Sequence, residues 1–433
     1  MSTTGLPAPA TAGERPEPGE RDRYRAYVLF ALAVVGFMCA VDKVVITMFV
    51  EPIKKEFGLS DTQIGLMTGI AFAVMHGVAS VPLARWADRG NRKWIIGGSF
   101  TVWTLMTAAS GAAANFWHLL AARIGVGIGE AGCVPATHSM IGDYYPRHLR
   151  PRALGAHSAG TFLGMLGGML GGGILVQTVG WRAGFFWLGL AGLVLAAIFH
   201  FTVREPVRVD AIAQPTAGTR LLDQLGDLRA YALLMVAFST TSLAGSSVTV
   251  WLPSYYERAF ALPPIHIGLG LGLCIGVATA IGSTIGGAVA VRHARHSRSW
   301  SSGYAAWATV LVMPFYLGSF HAPSALLSFV LLFAAYAVAG SILGPVFSTL
   351  QDLVSPGARA TALARVALAG VLVGQGLGPL LVGAISDALR VKGAGAEGLR
   401  TAMTTVAMVN FLTIFAFWAL QRRIKSLAAR ESH

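Results

Sequence analysis

The sequence predicts an all-α membrane protein of twelve transmembrane helices arranged as two six-helix bundles, and three observations carry that expectation. Of its 433 residues 54% are hydrophobic and only 12% are charged, whereas a soluble domain needs about 25% charge to cover its surface. Apolar runs long enough to cross a bilayer, for which about 20 residues suffice, recur along the whole chain. Lys and Arg gather at the ends of these runs. Glycine is abundant, at 52 residues, and in lipid such small residues let helices approach closely.

Residues 1–24 hold Pro7, Pro9, Pro16 and Pro18 among Glu, Gly and Thr. They lack the apolar core of a signal peptide and are expected to form a disordered tail. Spans follow near 26–49, 61–84, 94–114, 117–143, 153–178 and 182–203, giving a first bundle over 25–203. Residues 204–228 carry Pro206, Asp210, Pro215, Gly218 and Asp223, which is linker chemistry. Spans near 229–253, 265–291, 301–319, 323–350, 358–388 and 400–421 make the second bundle over 229–421, and 422–433 form a basic C-terminal tail. Several runs exceed the bilayer requirement, which predicts tilt or protrusion.

Orientation follows from the cations. Twenty-three Lys and Arg fall on the side of the two termini and the 204–228 linker, against seven on the other. That places both termini in the cytoplasm of a multi-pass protein of the cell inner membrane. The net charge of +13 is thereby a matter of topology, and no nucleic-acid partner is expected. Cys39, Cys133 and Cys274 lie in apolar stretches without metal or redox spacing and read as packing residues. No P-loop, metal set or paired nucleophile and base is present in the sequence, so neither ATP drive, a cofactor nor an enzyme activity is expected.

Charged groups inside a span cost several kcal/mol in lipid, so they face a cavity or a partner. Asp42, Lys43, Arg123 and Glu130 are the four such groups in the first half. Arg123 and Glu130 are two helical turns apart, on one face and separated by about 10 Å along the axis. Asp42 and Arg123 share a depth in the outer half, which makes an ion pair between them plausible. Glu130 lies nearer the middle, with no obvious cation in its own span.

The turn Ala84-Arg85-Trp86-Ala87-Asp88-Arg89-Gly90-Asn91-Arg92-Lys93 resembles the Asp-Arg-x-Gly-Arg-Lys signature of major facilitator superfamily transporters. Asn91 and Ala84 stand where that family usually has Gly. Val291 replaces the acid in the equivalent turn of the second half. The run Arg123-Ile-Gly-Val-Gly-Ile-Gly-Glu130-Ala-Gly132, with Val41-Asp42-Lys43, resembles the spinster branch, whose first helix commonly has Asp-Arg in place of Asp42-Lys43. The resemblance covers the first half in motif and the second half in architecture.

The resemblance implies the major facilitator fold, proton coupling and lysophospholipid or sphingosine-phosphate substrates, handled by a monomer among membrane lipids. Glu130 and Asp42 are then expected to exchange the coupling proton as the cavity opens to water, and Arg123 and Lys43 to meet an anionic headgroup. Asp88 is expected to dock on the helix start at Ser355-Pro356-Gly357, whose free amides favour an acid, and Arg89 and Arg92 to bridge to Asp143. Together these form a cytoplasmic gate. A transporter of a polar solute, drug or organic anion is the alternative.

Other features keep two readings. Gly127, Gly129 and Gly132 match a dinucleotide pattern but lie inside a span without a preceding strand, so close packing is expected. Gly160, Gly164, Gly168 and Gly172 share one face, either a static contact or a sliding surface. His76 and His138 suit proton relay or packing. His293 and His296 with Arg292, Arg295 and Arg298 suit anionic lipid or topology rather than a metal. The hydroxyls at Ser239, Thr240, Thr241, Ser242, Ser246, Ser247 and Thr249 serve either a cavity or their own helix.

Overall fold

The computed structural model describes residues 18–146, 148–206, 226–293, 299–355, 359–391 and 395–431, and these are almost entirely helical. The first half comprises α1 (Pro18–Met48), the short α2 (Val50–Phe57), α3 (Asp61–Ala87), α4 (Arg92–Gly111), α5 (Phe116–Tyr144), α6 (Arg150–Thr178) and α7 (Gly180–Thr202). The second half comprises α8 (Leu228–Phe260), α9 (Pro264–Arg292), α10 (Trp300–Phe320), α11 (Ala325–Leu353), α12 (Thr361–Arg390) and α13 (Glu397–Arg430). Ten of these are long and apolar enough by themselves to cross a membrane. The other two spans are α4, packed on α5 and α7, and α10, packed on α11 and α13.

Polar caps set several starts. Ser60 and Gln63 form a reciprocal capping box at α3, and Asn91, Asn115, Asp227 and Ser324 cap α4, α5, α8 and α11 by accepting a backbone N–H three residues on. Two ends differ from expectation. Helix α1 begins at Pro18, inside the stretch expected to be a tail, because the Tyr24 hydroxyl donates to the Thr202 carbonyl at 3.1 Å and Tyr27 meets the Thr202 hydroxyl, tying the extra turns to α7. The final helix likewise continues past residue 421 to Glu431, with Arg423 donating to Asp227 at 2.6 Å. Residues 1–17 and 207–225, most of the expected tail and linker, lie outside the described residues.

The halves repeat one another in their irregularities. Helix α5 breaks into a turn at residues 131–132, and its counterpart α11 breaks at residues 341–342. Wide π-helical turns interrupt α3 at Leu66–Ile70, its counterpart α9 at Leu273–Ala278, and α12 at Gly370–Leu377. Such turns release backbone groups and shift side-chain register, and they recur at functional positions.

The core is divided unevenly along the bundle axis. At the end bearing both termini, the terminal end, each half has a separate core: one around Leu32, Phe100 and Met140, the other around Leu234, Leu350 and Phe417. At the opposite, far end, one continuous cluster joins the halves, from Phe49, Trp181 and Phe185 to Trp251, Tyr255 and Met403. The bundle is therefore fused at the far end and parted at the terminal end.

The Gly160 to Gly172 face packs on α1 within the same half. A Cβ added at Gly164 would lie 2.3 Å from the Phe37 carbonyl oxygen and one at Gly160 2.7 Å from that of Ala33, so this face is a close backbone contact with α1. Because the obstacle at Gly164 is backbone, Gly164→Leu is expected to separate α1 from α6 and abolish monodisperse protein in size-exclusion chromatography. Gly127, Gly129 and Gly132 serve packing too, with the Phe72 carbonyl, the Trp103 backbone and the Ser99 hydroxyl each within 3 Å of an added Cβ.

Candidate functional site

The four intramembrane charges of the first half meet as two pairs. Asp42 and Lys43 are adjacent on α1 and so point about 100° apart. Asp42 faces Arg123 of α5, whose Nη1 donates to Asp42 Oδ2 at 3.3 Å, and the Thr107 hydroxyl of α4 donates to Asp42 Oδ1. Arg123 also donates to the Ser110 hydroxyl at 3.1 Å, and its guanidinium lies 5.1 Å from the centre of the Phe185 ring. This pair is enclosed, with Arg123 4% exposed.

Lys43 turns toward Glu130, Nζ to Oε2 at 3.4 Å, so α1 supplies the cation for Glu130 while Arg123 of α5 is engaged by Asp42. The two partners differ sharply in access. The Glu130 side chain is fully buried and neither carboxylate oxygen receives a hydrogen bond, whereas the Lys43 side chain is 36% exposed. Glu130 is also the last residue before the turn in α5.

Between α6 and α9, at the parted end, a cavity of about 520 Å³ is lined by Ser158, Phe162, Leu166, Ile281 and Thr284. Most of the hydroxyls of α8 do not serve a cavity. Thr240, Thr241, Ser247 and Thr249 donate to carbonyls of their own helix, and Ser246 donates to the Gly374 carbonyl of α12 at 2.6 Å. His76 stacks on Phe72, and His138 meets His157 edge-on at 5.6 Å.

The far end is locked by polar contacts between the halves. Arg258 at the end of α8 donates to Glu51 of α2 at 2.6 and 2.9 Å and to both carboxylate oxygens of Asp61 at 2.8 and 2.9 Å. Asp61 also pairs with Lys54 and accepts from the Ser386 hydroxyl of α12 at 2.7 Å. Asp387 of α12 accepts from the backbone N–H groups of Asp61 and Thr62 at 3.0 and 2.7 Å, so an acid of the second half caps a helix of the first. Gln177 of α6 accepts from the Ile265 N–H at 3.2 Å and caps α9 in the same way. Backbones close the seam, since a Cβ at Gly65 would lie 2.5 Å from the Pro379 carbonyl and one at Gly69 2.5 Å from that of Gly376.

At the terminal end Arg92 is 2% exposed and bonds within the first half, to Asp143 at 2.5 Å, Glu205 at 2.8 Å and the Ser139 hydroxyl at 3.0 Å. The sequence reading missed Glu205, whose second oxygen also accepts the Lys93 N–H at 2.8 Å. The side chains of Asp88 and Arg89, and residues Pro356 and Gly357, lie outside the described residues. So do the side chain of His293 and residues 294–298. The far-end lock was missed as well. Its one sequence signal is the acid Asp61 inside the Ser60-x-x-Gln63 capping box at the start of α3, with Arg258 at the end of an apolar helix.

Twelve spans in two repeated halves, fused at one end and parted at the other around buried charge, define a multi-pass membrane transporter rather than an enzyme. The chain belongs to the major facilitator superfamily, whose family profile matches residues 31–379. An MFS-type efflux pump of Mycolicibacterium smegmatis is 31% identical over 91% of this chain and 92% of its own. A sphingosine-1-phosphate transporter of Xenopus tropicalis is 25% identical over 83% of this chain and 73% of its own. A crystal structure of a bacterial homolog of the human lysosomal transporter Spinster, in an inward-facing and occupied conformation, superposes with a TM-score of 0.81 at 28% identity, covering 92% of this chain and 97% of that one. The resemblance to the spinster branch read from the motifs thus extends to the whole fold.

Proposed function

We propose that this protein is a proton-coupled secondary transporter of an anionic amphipathic lipid, of the lysophospholipid or sphingosine-phosphate kind, working by alternating access. The reading rests on the unequal pair at the centre of the first half, an accessible Lys43 beside a buried Glu130 that has no hydrogen-bond donor. An anion arriving at Lys43 competes with Glu130 for the one cation between them. A carboxylate stripped of its partner in an enclosed site is costly, and a proton restores neutrality. Anion and proton therefore bind together and leave together.

The other site residues follow from position. The Asp42–Arg123 pair is enclosed in this state, so Arg123 meets a headgroup, and Asp42 a proton, once α1 and α5 part. The groove between α6 and α9 offers an acyl chain an apolar path. The basic terminal end faces the cytoplasm of an inner-membrane monomer, so the state described is open inward and closed outward. In the reverse state Asp88 docks on the start of α12 as Asp387 docks on α3, with Arg89 beside it and Arg92–Asp143 as its anchor.

Reconstituted into liposomes under an imposed pH gradient, the protein is expected to accumulate a fluorescent lysophospholipid. Glu130→Gln is expected to abolish the gradient-driven component while leaving equilibrium binding measurable. Undiminished proton-driven uptake by that variant would remove Glu130 from coupling. Uptake of a drug or organic anion without lipid would favour the second reading, which the efflux-pump relative supports.

A further inference from the structure

Away from the central site, α8 and α13 run antiparallel at the terminal end and enclose a cavity of about 450 Å³ lined by Arg229, Leu233, Phe415, Trp418, Arg422 and Arg423. Residues four apart on a helix stack one above another, about 6 Å apart along the axis. Arg422 therefore stands over Trp418 with Phe415 deeper still, and on the facing helix Arg229 stands over Leu233. The cavity is cationic at its mouth and apolar below. Arg423 is held by Asp227, on which the charge of Arg229 also acts, whereas Arg229 and Arg422 are exposed and form no direct ion pair with a carboxylate among the described residues. Lys425, also exposed, adds a further positive charge beside them.

The lower wall continues onto an outward apolar surface. Phe411, Leu412 and Phe415 are exposed, and Trp418 meets the exposed Trp307 edge-on at 5.8 Å. Tryptophans on a lipid-facing surface mark the level of the headgroups, and here they sit one turn below the arginines. We propose that this cavity is a binding site for an anionic phospholipid of the surrounding leaflet. Arg229 and Arg422 fork the phosphodiester oxygens, and Trp418 and Phe415 lie along the first acyl carbons. A free phosphate would use the cations alone, whereas a lipid uses both the cations and the apolar wall.

Native mass spectrometry of the full-length protein, released from vesicles of phosphatidylglycerol and phosphatidylcholine, tests the assignment. The wild type is expected to retain phosphatidylglycerol selectively, and Arg229→Gln/Arg422→Gln to lower that retention about tenfold or more, given about 1 kcal/mol per interfacial cation. Arg85→Gln/Arg152→Gln removes the same charge from exposed sites at the same end and is expected to leave retention unchanged. Equal loss in both pairs, or loss in neither, would overturn the site. Displacement of the lipid by millimolar inorganic phosphate would overturn the lipid assignment in favour of a free anion.

Discussion

Arg123→Ala is expected to unfold or inactivate the protein, and its effect should exceed that of Asp42→Asn. The Asp42–Arg123 pair is enclosed and braced by Thr107, Ser110 and the Phe185 ring. Removing the cation leaves a buried carboxylate without compensation, which costs about 3–5 kcal/mol. Removing the acid charge leaves a guanidinium that still donates to Ser110 and keeps its cation–π contact, a smaller deficit. The double variant Asp42→Asn/Arg123→Gln holds no unpaired charge, so it should recover thermal stability lost in Arg123→Ala. Its transport should stay low if these groups exchange charge with substrate and proton. Full recovery of transport in the double variant would make the pair a mere helix tie.

The second large effect is expected at the far end. Arg258→Ala removes four hydrogen bonds to Glu51 and Asp61 and leaves those two first-half carboxylates without the cation that ties them to α8. Hydrogen bonds involving charged groups contribute about 1.5–3 kcal/mol each, so the closed far end should lose at least about 3 kcal/mol. That shifts a two-state equilibrium by roughly 100-fold toward opening at this end. Spin labels at Thr178 and His321, which lie on opposite halves near the far end, should report a longer distance population in the variant. An unchanged distance distribution would show that the apolar seam from Phe49 to Trp251 holds the halves by itself. Asp387→Asn keeps an acceptor for the α3 amides and should shift the population less than Asp387→Ala.

Two helix caps cross the seam at the far end, Asp387 on α3 and Gln177 on α9. The sequence reading expected an acid, Asp88, to dock on a helix start at the terminal end. The described contact is the counterpart at the far end, Asp387 on the N-terminus of α3. The principle was legible, an acid against free amides, but its use at the far end was not.

Much of the first half's chemistry was readable because a charge inside a span is rare and expensive, so Asp42, Lys43, Arg123 and Glu130 stood out without a structure. Depth along antiparallel spans was enough to pair Asp42 with Arg123. It did not pair Lys43 with Glu130, since neighbours on α1 diverge by about 100° and the azimuth of α1 against α5 is a matter of packing. Glu51, Lys54, Asp61, Arg258 and Asp387 were harder still. At helix ends, charges like these are ordinary, and their significance comes from the meeting of α2, α3, α8 and α12.

The sequence by itself determined the solvent, the span count and the inventory of intramembrane charge, because bilayer thickness and the cost of burying ions act on each segment locally. Tertiary structure alone decided which charges face one another, which end of the bundle is fused, and that the Gly160–Gly172 face lies against α1 of its own half. Those outcomes depend on helix rotation and on the relative tilt of the two halves, quantities that no single segment encodes.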